Sequence, residues 1–153
     1  MSPEELARES IFEGMSAEHL AILAPLFRRV VFATGTEVFT EGEEASELYL
    51  LESGRVAVRV AHYDGGQVDL NMVQPGSVWG WSAVMGRSCY SASSVCLSET
   101  RALAAPGRDL RRLMQAHPEL GRQLLMRITQ IASNPSGGLG DQLMKMLGSE
   151  TGE

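Results

Sequence analysis

Gly35, Gly42, Gly54, Gly76 and Gly80 cut the middle of the chain into short segments in which apolar residues recur at alternate positions. Val56, Val58 and Val60 alternate with Arg55, Arg59 and small alanines, the period of a strand with one face buried. Tyr63-Asp64-Gly65-Gly66 supplies residues tolerant of positive φ at a hairpin tip, after which Val68, Leu70 and Met72 resume the alternation. Strands this short build a core only by wrapping together. The spacing predicts a mainly β fold with flanking helices, a two-sheet β-roll of the jelly-roll or double-stranded β-helix kind, whose closure protects most strand edges.

Helical period marks both ends. Ser2-Pro3-Glu4-Glu5 offers a cap, a proline at the first helical position and a glutamate three residues after the cap; Ser16 is a second cap, with Leu20, Leu23 and Phe27 on one face and Pro25 shortening the helix. After Pro106, Leu110, Leu113 and Met114 form one stripe and Leu120, Leu124, Ile128 and Ile131 another, divided at Pro118. Asn134-Pro135-Ser136-Gly137-Gly138-Leu139-Gly140 reads as a flexible break, and Asp141 as the cap of a short helix carrying Leu143, Met144, Met146 and Leu147. The expected organisation is N-terminal helices over 1–29, a β-roll over 30–105, C-terminal helices over 106–133, and a linker with a tail helix over 134–153. That tail either docks on a partner or folds back on its own domain.

With 153 residues, 44% of them apolar and 21% charged, the chain has the size and composition of one globular domain. A formal net charge of −6 argues against a nucleic-acid surface, and the basic run Arg108, Arg111 and Arg112 reads as a solvated helix face. No apolar run reaches the ~20 residues of a membrane span and no secretory signal opens the chain, so a cytoplasmic protein with no membrane contact is expected. Cys89 and Cys96 are badly placed for a local bridge. Gly80-Trp81-Ser82-Ala83-Val84 lacks the final glycine of a nucleophile elbow, the three histidines are far apart, and Cys89 beside Arg87 reads more readily as an inert thiol than as a redox switch. Nothing here points to an enzyme or a metal site.

Gly76 to Ser93, GSVWGWSAVMGRSCYSAS, has the outline of a phosphate cradle. Gly76 and Gly80 bracket a turn, Gly80 to Met85 reads as one short helix, and Tyr90-Ser91-Ala92-Ser93 starts a strand. Together with Ala33 to Gly42, Leu48-Tyr49-Leu50 and Gly54, this glycine set resembles the cyclic-nucleotide-binding domain of catabolite-activator-type regulators, cyclic-nucleotide-dependent kinases and gated channels, over roughly residues 11–133. The resemblance implies a sensor domain in which a cyclic nucleotide or another small anion meets Gly80, Trp81, Ser82, Ala83, Tyr90, Ser91 and Ala92, and the last helix lids the pocket or pairs two copies. It also implies a chain without the regulators' helix-turn-helix, since no room for one remains after Ser133, and hence no DNA binding by this chain.

Two positions depart from the family pattern. Trp81 stands where the family places a glutamate for the ribose hydroxyl, and Tyr90 where it places an arginine for the phosphate, a charge-assisted and often bidentate partner. Losing one partner of such a buried pair costs about 2–5 kcal/mol, or ~30- to several-thousand-fold in affinity. High-affinity recognition of cyclic AMP or cyclic GMP is therefore expected to be lost. Trp81 admits three placements: a plug in the ribose site, a stacking platform for a different ligand, or a core residue pointing away. Arg87 is an auxiliary candidate, able to swing toward a phosphate from the intervening loop.

Overall fold

The computed structural model describes residues 1–61 and 66–132. The expected hairpin tip at Tyr63 to Gly65 and the tail beyond Ala132, with its break and short helix, lie outside the described residues.

Helix α1 (Pro3–Ala7) starts in a reciprocal capping box, Ser2 Oγ accepting from the Glu5 N–H and the Glu5 carboxylate accepting from the Ser2 N–H. Helix α2 (Ala17–Leu23) is capped by Ser16 and passes into a 3-10 turn (Ala24–Leu26) at Pro25, so Phe27 lies beyond the helix rather than on its face. The eight strands are β1 (Arg28–Phe32), β2 (Glu37–Phe39), β3 (Glu47–Ser53), β4 (Val56–Ala61), β5 (Gln67–Val73), β6 (Val78–Trp79), β7 (Ser93–Cys96) and β8 (Thr100–Pro106). They form two four-stranded sheets, ordered β1-β8-β3-β6 and β2-β7-β4-β5, in which the pairings are antiparallel. Helices α3 (Gly107–Ala116) and α4 (Pro118–Ala132) follow, split at the expected proline.

The central strands of the first sheet, β3 and β8, are buried on both faces. Leu48 and Leu50 of β3 and Leu103 and Ala105 of β8 point to the flanking helices, while Tyr49, Leu51, Ala102 and Ala104 point between the sheets. This explains the unbroken apolar run in β3, since a strand covered on both sides needs no polar face. Leu110, Leu120, Leu124 and Ile128 fasten α3 and α4 to the helix-side core. Both cysteines are free.

Three sequence expectations need correction. Gly76 and Gly80 do not bracket a plain turn: Val78 and Trp79 between them pair with Leu50 and Tyr49 as strand β6. The strand expected from Tyr90 begins at Ser93, because the Tyr90 backbone is held by the preceding loop, its N–H donating to the Glu43 carbonyl (2.9 Å) and its carbonyl accepting from Gly42 (3.0 Å). Val68 and Leu70 remain 43% and 37% exposed, since β5 is an edge strand.

Candidate functional site

Trp79 ends β6, and the chain there must turn under the first sheet. Gly80 makes the turn with φ +76°, and a Cβ at this position would meet the Glu47 carbonyl at 3.0 Å and the Phe39 ring at 3.1 Å. Both the left-handed backbone and the lack of room demand glycine. The helix expected over Gly80 to Met85 contracts to a single 3-10 turn (Trp81–Ala83), and the Ala83 N–H returns to the Gly80 carbonyl at 3.2 Å rather than facing a ligand.

Beyond the turn lies a niche bordered by Phe39, Val58, Trp79, Gly80, Trp81, Ser82, Tyr90, Ser91 and Ala92. Its volume is about 20 Å³, room for one water molecule, whereas small-molecule sites run to about 300–1,000 Å³. Aromatic rings fill the rest. Tyr90 stacks on Phe39 at 3.7 Å and 11°, Phe39 lies 6.2 Å from Tyr49, and Tyr49 stacks on Trp79 at 5.1 Å. The Trp79 indole N–H faces Ser94 Oγ at 3.3 Å, so the column is anchored at that end by a buried hydrogen bond.

Tyr90 is held by more than packing. Its hydroxyl donates to the Glu47 carbonyl at 2.6 Å and accepts from the Glu47 N–H at 2.9 Å. Gly107 N–H donates to the Ser46 carbonyl, and Glu47 is the next register partner, opposite Pro106. Antiparallel ladders alternate, so the Glu47 backbone groups point away from β8 toward the edge where β6 has already ended. The phenol supplies one donor and one acceptor where position 81, which the β3–β6 register would set opposite Glu47 in a longer β6, would have supplied both. Burial pushes the Tyr90 hydroxyl above its ordinary pKa, which keeps it protonated and able to donate. The Glu47 carboxylate in turn grips the Arg28 guanidinium with two contacts, one of them 2.8 Å.

The structure brings Gly80, Trp81, Ser82, Tyr90, Ser91 and Ala92 together around the niche; Ala83 and Arg87 do not border it. Of the three placements open to Trp81, its side chain takes the third, packing in the helix-side core with Leu48, Leu50 and Val84. Ser91 and Arg87 are exposed. Ala83 faces Gly107, where an added Cβ would come within 2.6 Å of the Ala83 Cβ, and its carbonyl accepts from Arg111. Arg111 is thus not simply a solvated member of a basic face: it ties the turn to α3. Sequence reasoning missed Phe39 and Glu47 as parts of the site, and only the strand register could have exposed Glu47's open edge.

Residues 29–117 match the family described as the cyclic nucleotide-binding domain. A "CRP-like cAMP-activated global transcriptional regulator" of Mycobacterium tuberculosis is 29% identical over 138 residues, covering 90% of this chain and 62% of that protein. A "cyclic AMP receptor protein" of Thermus thermophilus is 27% identical over 114 residues, covering 74% and 53% respectively. The chain therefore spans roughly half to three-fifths of the length of these relatives. Among solved structures, a protein of Geobacter metallireducens described as cyclic nucleotide-binding superposes with a TM-score of 0.75 at 25% identity, over 86% of this chain and 95% of that one.

Proposed function

Because this chain belongs to the cyclic nucleotide-binding domain family, with catabolite-activator-type regulators among its relatives, we propose that it is a non-enzymatic regulatory module whose nucleotide niche is closed by Tyr90. The observation that carries this reading is the ≈ 20 Å³ niche beneath a tyrosine that is stacked on Phe39 and bonded twice to Glu47. A nucleotide could enter only by expelling the ring. Removing a buried aromatic from its packing costs about 3–5 kcal/mol, which lowers apparent affinity by ~150- to several-thousand-fold. The missing arginine adds its own loss. A small anion that did displace Tyr90 would move the Gly80–Tyr90 segment, and the contacts of Ala83 with Gly107 and Arg111 offer a path from that segment to α3 and α4.

Calorimetry against cyclic AMP and cyclic GMP tests the proposal. The expected result is no saturable heat at micromolar nucleotide, and a micromolar dissociation constant for either would overturn it. Tyr90→Arg is the informative variant: it removes the ring and restores a guanidinium, so it should gain nucleotide binding. Trp81 is left in place, since a carboxylate there would be buried among leucines.

A second reading, a ligand-free scaffold acting through its C-terminal helices, is favoured by one observation. On α4, Leu125 and Met126 are 37% and 57% exposed beside an apolar groove. Failure of Tyr90→Arg to bind any nucleotide would favour that reading.

A further inference from the structure

A cavity of about 330 Å³ lies between the loop that enters β3 and the start of α3, with Glu44, Ser46, Pro106, Arg108, Asp109 and Arg111 in its lining. We infer that it is a second small-ligand site and that it takes a free α-amino acid, bound through its carboxylate and its ammonium group together.

The charges point to a guest of both signs. Two guanidinium groups and two carboxylates line the cavity, so its formal charge sums to zero. The ion pairs among the described residues are Arg28–Glu47, Arg29–Glu5, Arg29–Glu52 and Arg59–Asp69, and none of the cavity's four charges belongs to them. Arg111 donates to the Ala83 carbonyl and has further N–H groups to give. Glu44, Arg108 and Asp109 have no side-chain hydrogen bond within the described residues. Opposite charges held apart in one cavity leave donors and acceptors for a single guest. Arg108 and Arg111 stand three residues apart on α3 and so share a face that suits a carboxylate. Glu44, from the other wall, is an acceptor for an ammonium group. A bare anion would meet the two carboxylates and a bare cation the two arginines; a zwitterion is complemented by both sets. The volume stands at the lower end of small-molecule sites, about 300–1,000 Å³, which suits a guest as small as an amino acid.

Both walls are fastened to the segment that closes the niche. The Gly107 N–H donates to the Ser46 carbonyl at 2.8 Å and joins the walls at their base. On the loop side the Ala45 N–H donates to the Ser88 carbonyl at 3.0 Å, Glu44 bridges to Cys89, and Glu47 holds the Tyr90 hydroxyl. On the helix side Arg111 holds Ala83. A guest that spans the cavity therefore clamps the Gly80–Tyr90 segment near both ends. The site itself does not depend on whether the niche admits a nucleotide.

Thermal shift and calorimetry on the full chain test the site, with each standard L-amino acid at millimolar concentration and with acetate and methylamine as the two half-ligands. At least one amino acid should raise Tm and saturate in calorimetry, whereas acetate and methylamine should do neither. Glu44→Gln and Arg108→Gln should each weaken that binding about tenfold, the change expected on losing one charge-assisted contact at an exposed cavity. Neither side chain has a partner among the described residues, so both variants should keep the parent's Tm without ligand. The inference is overturned if no amino acid binds, if acetate alone or methylamine alone raises Tm as far as the amino acid does, or if either variant binds the amino acid as tightly as the parent.

Discussion

Replacing Tyr90 separates the two ways in which it closes the niche. Tyr90→Phe keeps the ring on Phe39 but deprives the Glu47 N–H and carbonyl of their partner at 2.9 and 2.6 Å. Each such group left unsatisfied costs about 1–3 kcal/mol; because the Glu47 edge is only partly buried, the low end applies and the pair comes to about 2 kcal/mol. Tyr90→Ala also removes the ring, 3% exposed and stacked at 3.7 Å, for a total of about 3–5 kcal/mol. In a domain of this size these losses lower Tm by about 4–8 °C and about 6–20 °C respectively. Urea unfolding followed by tryptophan fluorescence measures both, since Trp79 and Trp81 are buried on the two sides of the first sheet. If Tyr90→Phe lies within about 0.5 kcal/mol of the parent and Tyr90→Ala within about 1 kcal/mol, at the level of an exposed side chain, the ring does not close the niche and the proposed loss of nucleotide recognition loses its structural basis.

Other perturbations test neighbouring parts of the argument. Gly107→Ala places a Cβ 2.6 Å from the Ala83 Cβ and carbonyl oxygen, and should destabilise by about 1–3 kcal/mol, read in the same urea experiment; an unchanged midpoint would show that α3 does not bear on the turn. The Glu9 carboxyl is pushed up to about 7 by burial and then by the adjoining Glu52, with Arg29 opposing. The fold therefore holds this proton more tightly than the unfolded chain does, and stability falls as pH rises from about 4.5 to about 7. Solvent screening limits the change to about 1 kcal/mol. Glu9→Gln should flatten that slope. Glu5, whose carboxyl is held down near 2 by Ser2 and Arg29, acts in a separate window, contributing stability above about pH 4.5 that is lost as pH falls toward 2.

The architecture was legible because its punctuation is local. A capping box, a proline between two apolar stripes and glycines at tight turns each act over a few residues, and Ser2, Pro118 and Gly80 do in the structure what their neighbourhoods require. Local patterns fail where the deciding partner is distant. Val68 and Leu70 carry the alternation of a buried strand, but burial depends on what lies across the sheet, and β5 stands at its edge. Trp81 could not be placed from spacing alone, because one residue of rotation at the Gly80 turn decides whether a side chain faces the niche or the helices.

Tyr90 is the sharpest case of the same limit. In the sequence it is an uncharged residue at a position where the resembled family has a cation, which says what is lost and nothing of what is gained. The gain depends on three distant facts: β6 is only two residues long, Gly80 then turns the chain away from β3, and the ladder alternation leaves both Glu47 backbone groups facing the vacated edge. A phenol can donate and accept at one oxygen while its ring packs on Phe39; phenylalanine would leave the edge open, and arginine would offer donors alone. Under the proposed function, the residue that takes the place of the phosphate's partner also completes the sheet, so introducing an arginine should bring nucleotide affinity only with a loss of stability. Tyr90→Arg should therefore melt below the parent without ligand and recover part of that difference in saturating nucleotide.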